Sequence, residues 1–177
     1  MRPLPLLATA LALALAAPAQ AADPQQTTIT SVSSEMISTD TETTCVFHDE
    51  VVAVGNDMTL NCDALKVIAT RIGEKSATIG KYGKFKYLLA TGHVKIVQGD
   101  RIALCGRAEV FPGEDRIVLT ENPSVEIASE GYKATSPRMV LYRGQRRAVL
   151  EGTLGQPSHI SLPAIKDLGF PADKPSK

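Results

Sequence analysis

The chain has 177 residues, 19 of them Lys or Arg and 19 Asp or Glu, so its formal net charge at pH 7 is zero. This balance excludes the strong positive field that nucleic-acid-binding proteins present to a phosphate backbone, and no nucleic-acid partner is expected. The absence of Trp, with four Tyr and four Phe, does not favour a carbohydrate-stacking cleft.

The first 21 residues are typical of a cleaved secretory signal. Met1-Arg2 precedes an uncharged apolar run from Leu4 to Ala17, and Ala19-Gln20-Ala21 forms a signal-peptidase pattern. The run is shorter than a bilayer span requires. We therefore predict a signal peptide over 1–21, secretion, and a mature protein that does not itself span a membrane.

From residue 22 to 154 the chain is a succession of short, alternating apolar and polar runs, which is the pattern of β-strands with one covered face. Turn residues such as Gly55-Asn56-Asp57 and Pro112-Gly113-Glu114-Asp115 separate them. The longest predicted loop is Gly73 to Lys84. The predicted strands lie at 28–37, 45–54, 58–69, 85–97, 101–111, 116–120, 124–128, 133–136, 138–142 and 148–154. The tail, 155–177, holds four prolines and is predicted to be irregular and mobile.

A hairpin-like unit recurs along this region. In the stretch from Leu88 to Phe111, two alternating runs flank Gln98-Gly99-Asp100. A shift of 43 residues toward the N-terminus places Val94 on Val51, and a shift of 31 toward the C-terminus places it on Val125. Repeated units of this kind stack on one another, so the predicted fold is all-β, either a sandwich, a roll or a solenoid of antiparallel hairpins.

The repeated text resembles the OstA-like (LptA-type) family of lipopolysaccharide-export proteins. The family pattern, A-x-G-x-V-x-I-x-Q-G-D followed by a small residue and A-x-V-[FY], matches Ala90 to Asp100 and then Cys105 and Ala108 to Phe111. Similar flanking stretches are Met58 to Val67 and Ile117 to Ile127. The likeness covers about 28–151. Glu121 departs from it, since the family has Gly at this place.

The resemblance implies a twisted, open β-jellyroll or taco-like roll, with an apolar groove that shelters lipid chains. It implies a non-enzymatic periplasmic bridge that carries lipopolysaccharide, or a related envelope lipid, from the inner to the outer membrane. The expected partners are further copies stacked end to end, and inner- and outer-membrane transport proteins of OstA-like fold. The alternative function is a structural β-roll that mediates protein contacts in the envelope without lipid.

Apolar residues that alternate along the predicted strands are the candidates to line such a groove, although ordinary core packing would use the same residue types. They are Met58, Leu60, Val94, Ile96, Ile102, Leu104, Val118, Val125 and Ile127.

Basic residues near turns are the candidates for a rim that meets lipid phosphates, and solvated surface is the alternative interpretation. They are Lys81, Lys84, Lys86, Arg138, Arg143, Arg146 and Arg147.

Three Cys follow the signal, and Cys62 and Cys105 hold equivalent places in the repeat. Adjacent units could bring the two thiols together in a disulfide, or both could be small buried apolar residues.

No catalytic or metal-binding constellation is readable. His48, His93 and His159 do not occur at metal-ligand spacing, although His93 aligns with Glu50 in the repeat. Nucleophile motifs and phosphate-cradling glycine loops are absent. We therefore expect neither enzyme activity, nor a metal, nor a cofactor.

Overall fold

A computed structural model describes residues 27–55, 58–77 and 81–163. The predicted signal peptide, 1–21, lies outside the described residues, as does the part of the tail from 164 to 177. Twelve strands make up one sheet. They are β1 (Thr28–Thr30), β2 (Ser33–Ser38), β3 (Glu42–Gly55), β4 (Met58–Ile72), β5 (Lys81–Gln98), β6 (Arg101–Phe111), β7 (Arg116–Thr120), β8 (Ser124–Ile127), β9 (Tyr132–Thr135), β10 (Arg138–Tyr142), β11 (Arg147–Glu151) and β12 (His159–Ser161).

The sheet is antiparallel throughout and divides into two halves, because the long strands pair with different neighbours along their length. β6 pairs with β8 through 101–104 and with β7 through 107–111. Likewise β3 pairs with β2 through 43–48 and with β1 through 52–54. We call the half with β2, β7, β10 and β11 half I, and the half with β1, β8, β9 and β12 half II.

The strands bend where they pass from one half to the other, and we call this line the corner. At the corner the register shifts between His48 and Val51 in β3 and between Thr91 and Val94 in β5. Consecutive residues with positive φ occupy these places: Asp49-Glu50, Gly92-His93 and Glu121-Asn122. Such bulges add local bend and twist, so one chain crosses both halves without losing its pairing on either side.

Later crossings use proline in place of a bulge. Pro123 precedes β8 and Pro137 precedes β10. A proline has no N–H to donate to a neighbouring strand, so the ladder stops there. Four long strands therefore run through the corner early in the chain, whereas short separate strands meet at it later.

The two halves face each other over a common apolar core. Leu65 and Leu119 in half I and Val51 and Val94 in half II are at most 1% exposed, and all four belong to one cluster of buried side chains. A single layer of sheet leaves one face in water, so burial of this degree requires the opposite half as a cover.

The repeat predicted from the sequence is confirmed in the first two hairpins. Val51 pairs with Cys62 and Val94 pairs with Cys105, which are the same positions displaced by 43 residues. In the third hairpin the shift of 31 holds for β9, where Ala134 takes the place of Ala103, but not for β8. Val125 takes the place of Ile96 and not that of Val94, since Val125 pairs with Ala134 as Ile96 pairs with Ala103. The reason is a short 3-10 helix, Ala128–Glu130, that lengthens the connecting turn.

Two sequence predictions about loops were wrong. Residues 81–84 belong to β5 rather than to the loop. Within the predicted irregular tail, His159–Ser161 pairs with β9 and extends half II. Edge strands gain their order from backbone pairing with a neighbour, which a polar, proline-flanked run does not reveal.

Candidate functional site

The inner faces of both halves carry continuous rows of apolar side chains across the sheet. Because side chains alternate along a strand, register defines each row. In half II the row is Ala53, Leu60, Ile96, Ala103, Val125 and Ala134. In half I the row is Phe47, Leu65, Ala90, Ala108, Leu119, Met139 and Leu150.

The middle of this interior is packed, and its margins are open. Leu119 is 0% and Met139 1% exposed, whereas Met36, Met58 and Phe85 are 42%, 42% and 52% exposed. The rows also run to edges that no described strand covers, since β1 and β2 lie at one end of the sheet and β11 and β12 at the other. The interior is thus an apolar trough, filled at its centre and accessible at its margins.

Six of the nine predicted groove residues lie on the inner face. Leu60, Val94, Ile96 and Val125 pack in or against the core cluster. Met58 and Ile127 share the alternation of Leu60 and Val125 and lie nearer the hairpin tips of half II.

The other three predicted groove residues, Ile102, Leu104 and Val118, lie on the outer face, so that part of the prediction was wrong. Their strand neighbours Ala103 and Leu119 point into the core, and alternation sends the three to the opposite side. Leu104 is 45% exposed. Val118 also lies on the outer face, between its strand partners Glu109 and Val140, although neighbouring side chains cover it from solvent. Apolar runs without strict alternation hid this difference from the sequence.

At the margin of half I, Tyr82 reaches over the inner face. Tyr82 is paired with Arg71, and its hydroxyl lies 3.1 Å from Met36 Sδ on β2 and 3.9 Å from Cys45 Sγ on β3. Desolvation and the contact with Cys45 raise the pKa of Tyr82, so the phenol keeps its proton and donates to Met36. The sequence contains no signal for this contact, which joins strands far apart in the chain.

Arg71 fixes the loop next to that margin. Its guanidinium donates to the backbone carbonyls of Thr39 at 3.4 Å, Glu74 at 3.0 Å and Lys75 at 3.1 Å, and also to that of Ala77. Five N–H donors in one planar group suit this task, since a loop that turns back leaves several carbonyls without partners. Arg71 was not among the residues singled out from the sequence.

The predicted basic rim is only partly assembled. Lys81, Lys84 and Lys86 lie at the tip of the β4–β5 hairpin, and Arg143, Arg146 and Arg147 at the tip of the β10–β11 hairpin, both at the end of half I away from the corner. Arg138 is not on this rim. It starts β10 at the corner, where it forms an ion pair with Glu151.

Several rim cations already have partners. Lys86 lies 2.5 Å from Glu42, Arg143 lies 3.6 Å from Asp115, and the guanidinium of Arg147 stacks 5.1 Å from the ring centre of Tyr142. Among the described residues, Lys81, Lys84, Arg146 and Arg147 form no ion pair. Of these four rim cations, Arg147 stacks on Tyr142, and the other three have no aromatic partner either in the part of the chain that the structure describes.

A polar network covers the outer face of half I. The Tyr87 hydroxyl donates to Glu109 Oε1 at 2.6 Å, and Arg107 donates to the same oxygen at 3.0 Å. These bonds lower the pKa of Glu109, the Tyr87 contact most of all. The Phe111 ring packs against Tyr87 in a tilted arrangement, with the ring centres 5.3 Å apart, and lies beneath the Arg116 guanidinium at 4.2 Å. All of these groups satisfy one another, so the network is a structural cover and not an open binding site.

The three thiols are buried and free, so of the two interpretations of Cys62 and Cys105 the structure agrees with small buried residues and not with a disulfide. Cys62 is in β4 and Cys105 in β6, with β5 paired between them. Two inter-strand spacings, roughly 9–10 Å, exceed the Cα–Cα reach of a disulfide. Burial raises the pKa of both thiols to about 11.

His93 is held at the corner by Asp63, whose carboxylate lies 2.8 Å from His93 Nδ1. His93 also borders a shallow depression of about 400 Å³ whose lining includes Lys95, Leu104 and Glu121. Within residues 27–55, 58–77 and 81–163, no group of three or more His, Cys, Asp or Glu side chains is placed to hold a metal ion. The same part of the chain contains no helix with the length and apolar character needed to cross a bilayer.

Comparison with known proteins gives the family. A family model described as "LptA/(LptD N-terminal domain) LPS transport protein" matches residues 28–147. Among solved structures, the chain resembles LptH from Pseudomonas aeruginosa, the LptA-homologous periplasmic component of a lipopolysaccharide transport device, with a TM-score of 0.60 and 12% identity over 79% of this chain and 96% of that chain. No curated protein matches the chain in sequence. The family match spans most of the described strands, and we conclude that the chain belongs to the LptA/LptD N-terminal domain family of lipopolysaccharide transport proteins.

Proposed function

We propose that this protein is a non-enzymatic periplasmic bridge that shields the acyl chains of lipopolysaccharide between its two sheet halves during transfer from the inner to the outer membrane. The observation that carries the proposal is the pair of apolar rows on facing halves of an open-ended sheet. Transfer of an acyl chain out of water is favourable by about 0.8 kcal/mol per CH₂, so lipid acyl chains cannot cross an aqueous compartment without a protein that shields them.

Because the centre of the interior is packed, bound chains must displace side chains or separate the halves. The exposed margins at Met36, Met58 and Phe85 are the places where this begins. The long strands β3 to β6 join the halves through the corner, and the far tips of the two halves belong to separate hairpins. Opening at the tips therefore disturbs side-chain packing and leaves the strand pairing intact.

The proposal includes end-to-end assembly with further copies or with transport proteins of the same fold. Among the strands that the structure describes, β2 in half I and β11 at the other end each pair on one side alone. Their free N–H and C=O groups are a template for strand addition, which would continue the two inner faces from one molecule to the next.

Photocrosslinking tests the lipid proposal. A photoreactive residue at Ile96 faces the interior, and one at Leu104 in the same hairpin faces outward. In envelope-intact cells we expect lipopolysaccharide adducts from position 96 and none from 104. If neither position yields lipopolysaccharide adducts and position 104 yields adducts with other proteins, the second function below is favoured instead.

A second probe pair tests the assembly. Glu35 on the edge strand β2 and Lys66 on the central strand β4 occupy the same outer-face row, joined through Val46. A crosslinker at Glu35 should yield adducts with a second copy or a related transport protein, and the probe at Lys66 should yield fewer. Equal labelling at both positions would contradict assembly through the strand edges.

A structural β-roll without lipid is the second candidate function. The observation that favours it is the packed centre, where Val94 and Met139 are each 1% exposed. Depletion of the protein separates the two functions. Loss of lipopolysaccharide from the outer leaflet and its accumulation at the inner membrane are expected for the bridge, and normal surface lipopolysaccharide is expected for the structural role.

A further inference from the structure

The margin between β2 and β5 combines an apolar inner surface with a cover that crosses it. Met36 and Cys45 face each other on paired strands, and the next residue in their row is Val67 of the core. The Tyr82 hydroxyl rests on both sulfur atoms, at 3.1 Å from Met36 and 3.9 Å from Cys45. Cys45 is 9% exposed, whereas Tyr82 and Met36 are each 42% exposed. One side chain at the surface therefore closes the way to the core.

The contacts that hold Tyr82 in place are weak. A thioether and a thiol are poor hydrogen-bond acceptors, so moving the phenol into water costs little. The backbone on each side of it is irregular, because the β4–β5 register shifts twice between Ile68 and Arg71. Phe85, three residues further along the strand and 52% exposed, leaves a second apolar surface in water beside it.

Charge at the same place favours an anionic head group. Lys81 and Lys84 flank Tyr82 in sequence, both are exposed, and neither has an ion-pair partner among the described residues. The neighbouring cations Lys75 and Lys86 are each paired, at 3.5 Å from Asp40 and 2.5 Å from Glu42. Two free ammonium groups beside an apolar margin match an amphiphile with one acidic group and an acyl chain.

We propose that Met36, Tyr82 and Phe85 form the portal through which an acyl chain of an anionic lipid reaches the interior, with Tyr82 as a lid and Lys81 and Lys84 as contacts for the acidic head group. This inference rests on the proposed function and adds the place of insertion. The acyl chain displaces the Tyr82 ring and covers Cys45, while the acidic head group of the lipid stays at the surface.

Cys45 provides a built-in reporter for the lid. The test measures the rate at which N-ethylmaleimide alkylates Cys45 in the full chain. Peptide mapping assigns the alkylated thiol. A glutamate-specific protease cleaves after Glu50 and so places Cys45 and Cys62 on different peptides, whereas trypsin leaves them together because no Lys or Arg lies between 23 and 65. Replacing Tyr82 by Ala should accelerate alkylation of Cys45 about tenfold, because local opening is no longer needed. The matched control Tyr142→Ala, on the outer face of half I, should leave the rate unchanged.

The ligand arm uses decyl phosphate as the probe. It should slow alkylation of Cys45 in the natural chain, and Lys81→Gln with Lys84→Gln should raise the concentration needed for half protection about fivefold to tenfold. Decanol should protect at higher concentration than decyl phosphate, and inorganic phosphate should not protect. If Tyr82→Ala fails to fold, Tyr82→Phe, which loses only the hydroxyl contacts, should still accelerate alkylation by about threefold.

An unchanged Cys45 rate in the Tyr82 variants, or equal protection with and without the two lysines, overturns the portal. Lipopolysaccharide adducts at Ile96 without protection of Cys45 would reject the portal and keep the bridge. If neither lipopolysaccharide adducts at Ile96 nor protection of Cys45 is found, the portal and the lipid bridge are both rejected.

Discussion

At the scale of single residues, a carboxyl group and two thiols have pKa values that the fold shifts in opposite directions. Glu109 accepts from Tyr87 and Arg107 on the outer face of half I, which lowers its pKa below the ordinary value of 4.5. Cys62 and Cys105 are perturbed in the other sense, since burial raises their pKa from 9.0 to about 11. The two effects make folding stability depend on pH at opposite ends of the scale.

The first prediction concerns acid. A carboxyl whose folded pKa is lowered stabilises the fold above its ordinary pKa, and this stabilisation is lost as the pH falls through the folded value. Replacing Glu109 by Gln should lower the free energy of unfolding at pH 7 by about 1–2 kcal/mol, and the difference from the natural protein should shrink between pH 5 and pH 3. Urea denaturation at several pH values measures this. Glu126→Gln, at an exposed ion pair 3.9 Å long, is the control and should have little effect. A Glu109 effect that does not change with pH would contradict the assignment.

The second prediction concerns the thiols. A group whose folded pKa is raised stabilises the fold below its ordinary pKa and loses that contribution as the pH rises through the folded value. Stability should therefore fall between about pH 9 and pH 11, and less steeply in Cys105→Ala than in the natural chain. Titration of lysines is common to both proteins and cancels in the comparison. Parallel slopes would show that Cys105 is not the group responsible.

Mass spectrometry without reductant should find three free thiols, and an intramolecular disulfide would contradict the strand order.

At the scale of the elements, the corner decides how four long strands serve two sheet halves. The positive-φ residues occur in consecutive pairs at Asp49-Glu50, Gly92-His93 and Glu121-Asn122. Two glycines there accommodate acidic neighbours. A Cβ on Gly92 would overlap the Asp63 carboxylate, and a Cβ on Gly106 would overlap Glu121. The corner is therefore constrained both by backbone conformation and by space.

Glycine substitutions separate these two constraints. Gly92 has φ of +74° as well as the overlap, Gly99 has φ of +59° with open space, and Gly106 has the overlap without positive φ. Gly99→Ala should cost about 1 kcal/mol of unfolding free energy, and Gly92→Ala about 2–3 kcal/mol. Adding Asp63→Ala to Gly92→Ala should recover part of the loss, as measured by urea denaturation. Equal costs at positions 92 and 99 would show that the Asp63 contact is irrelevant.

At the scale of the whole molecule, one face of the sheet is apolar from edge to edge while the sheet itself stays open. Ile96 and Leu104 show the contrast within a single hairpin. Ile96 packs against the core between Leu60 and Ala103, and Leu104 is 45% exposed on the other side. The inner face thus serves two purposes at once under the proposed function, holding the halves together and receiving lipid.

A pair of aspartate substitutions tests this division. Ile96→Asp should destabilise the protein by about 3–5 kcal/mol or abolish the proposed capture of lipopolysaccharide, because an unpaired carboxylate would lie in the core. Leu104→Asp should change the free energy of unfolding by less than about 0.5 kcal/mol and leave lipid capture intact. Thermal unfolding and co-purified lipopolysaccharide are the measurements. Similar effects of both substitutions would contradict the assignment of inner and outer faces.

The sequence by itself determined the class of fold and the repeated hairpin, because alternation and turn residues are local properties. The 43-residue shift that relates Val51 to Val94 appears unchanged in the strand pairing. The family resemblance, now established by the match over 28–147, also followed from these residues.

Tertiary structure alone decided which face each residue occupies beyond a bulge and which strands lie between two cysteines. Ile102, Leu104 and Val118 carried the same apolar signal as Ile96, yet alternation from the observed register puts them outside. Cys62 and Cys105 occupy equivalent repeat positions, yet β5 separates them. Tyr82 meets Met36 across 46 residues of chain. The physical reason is common to all three cases: a one-residue change of register reverses every side chain that follows, and contacts between distant strands leave no local trace in sequence.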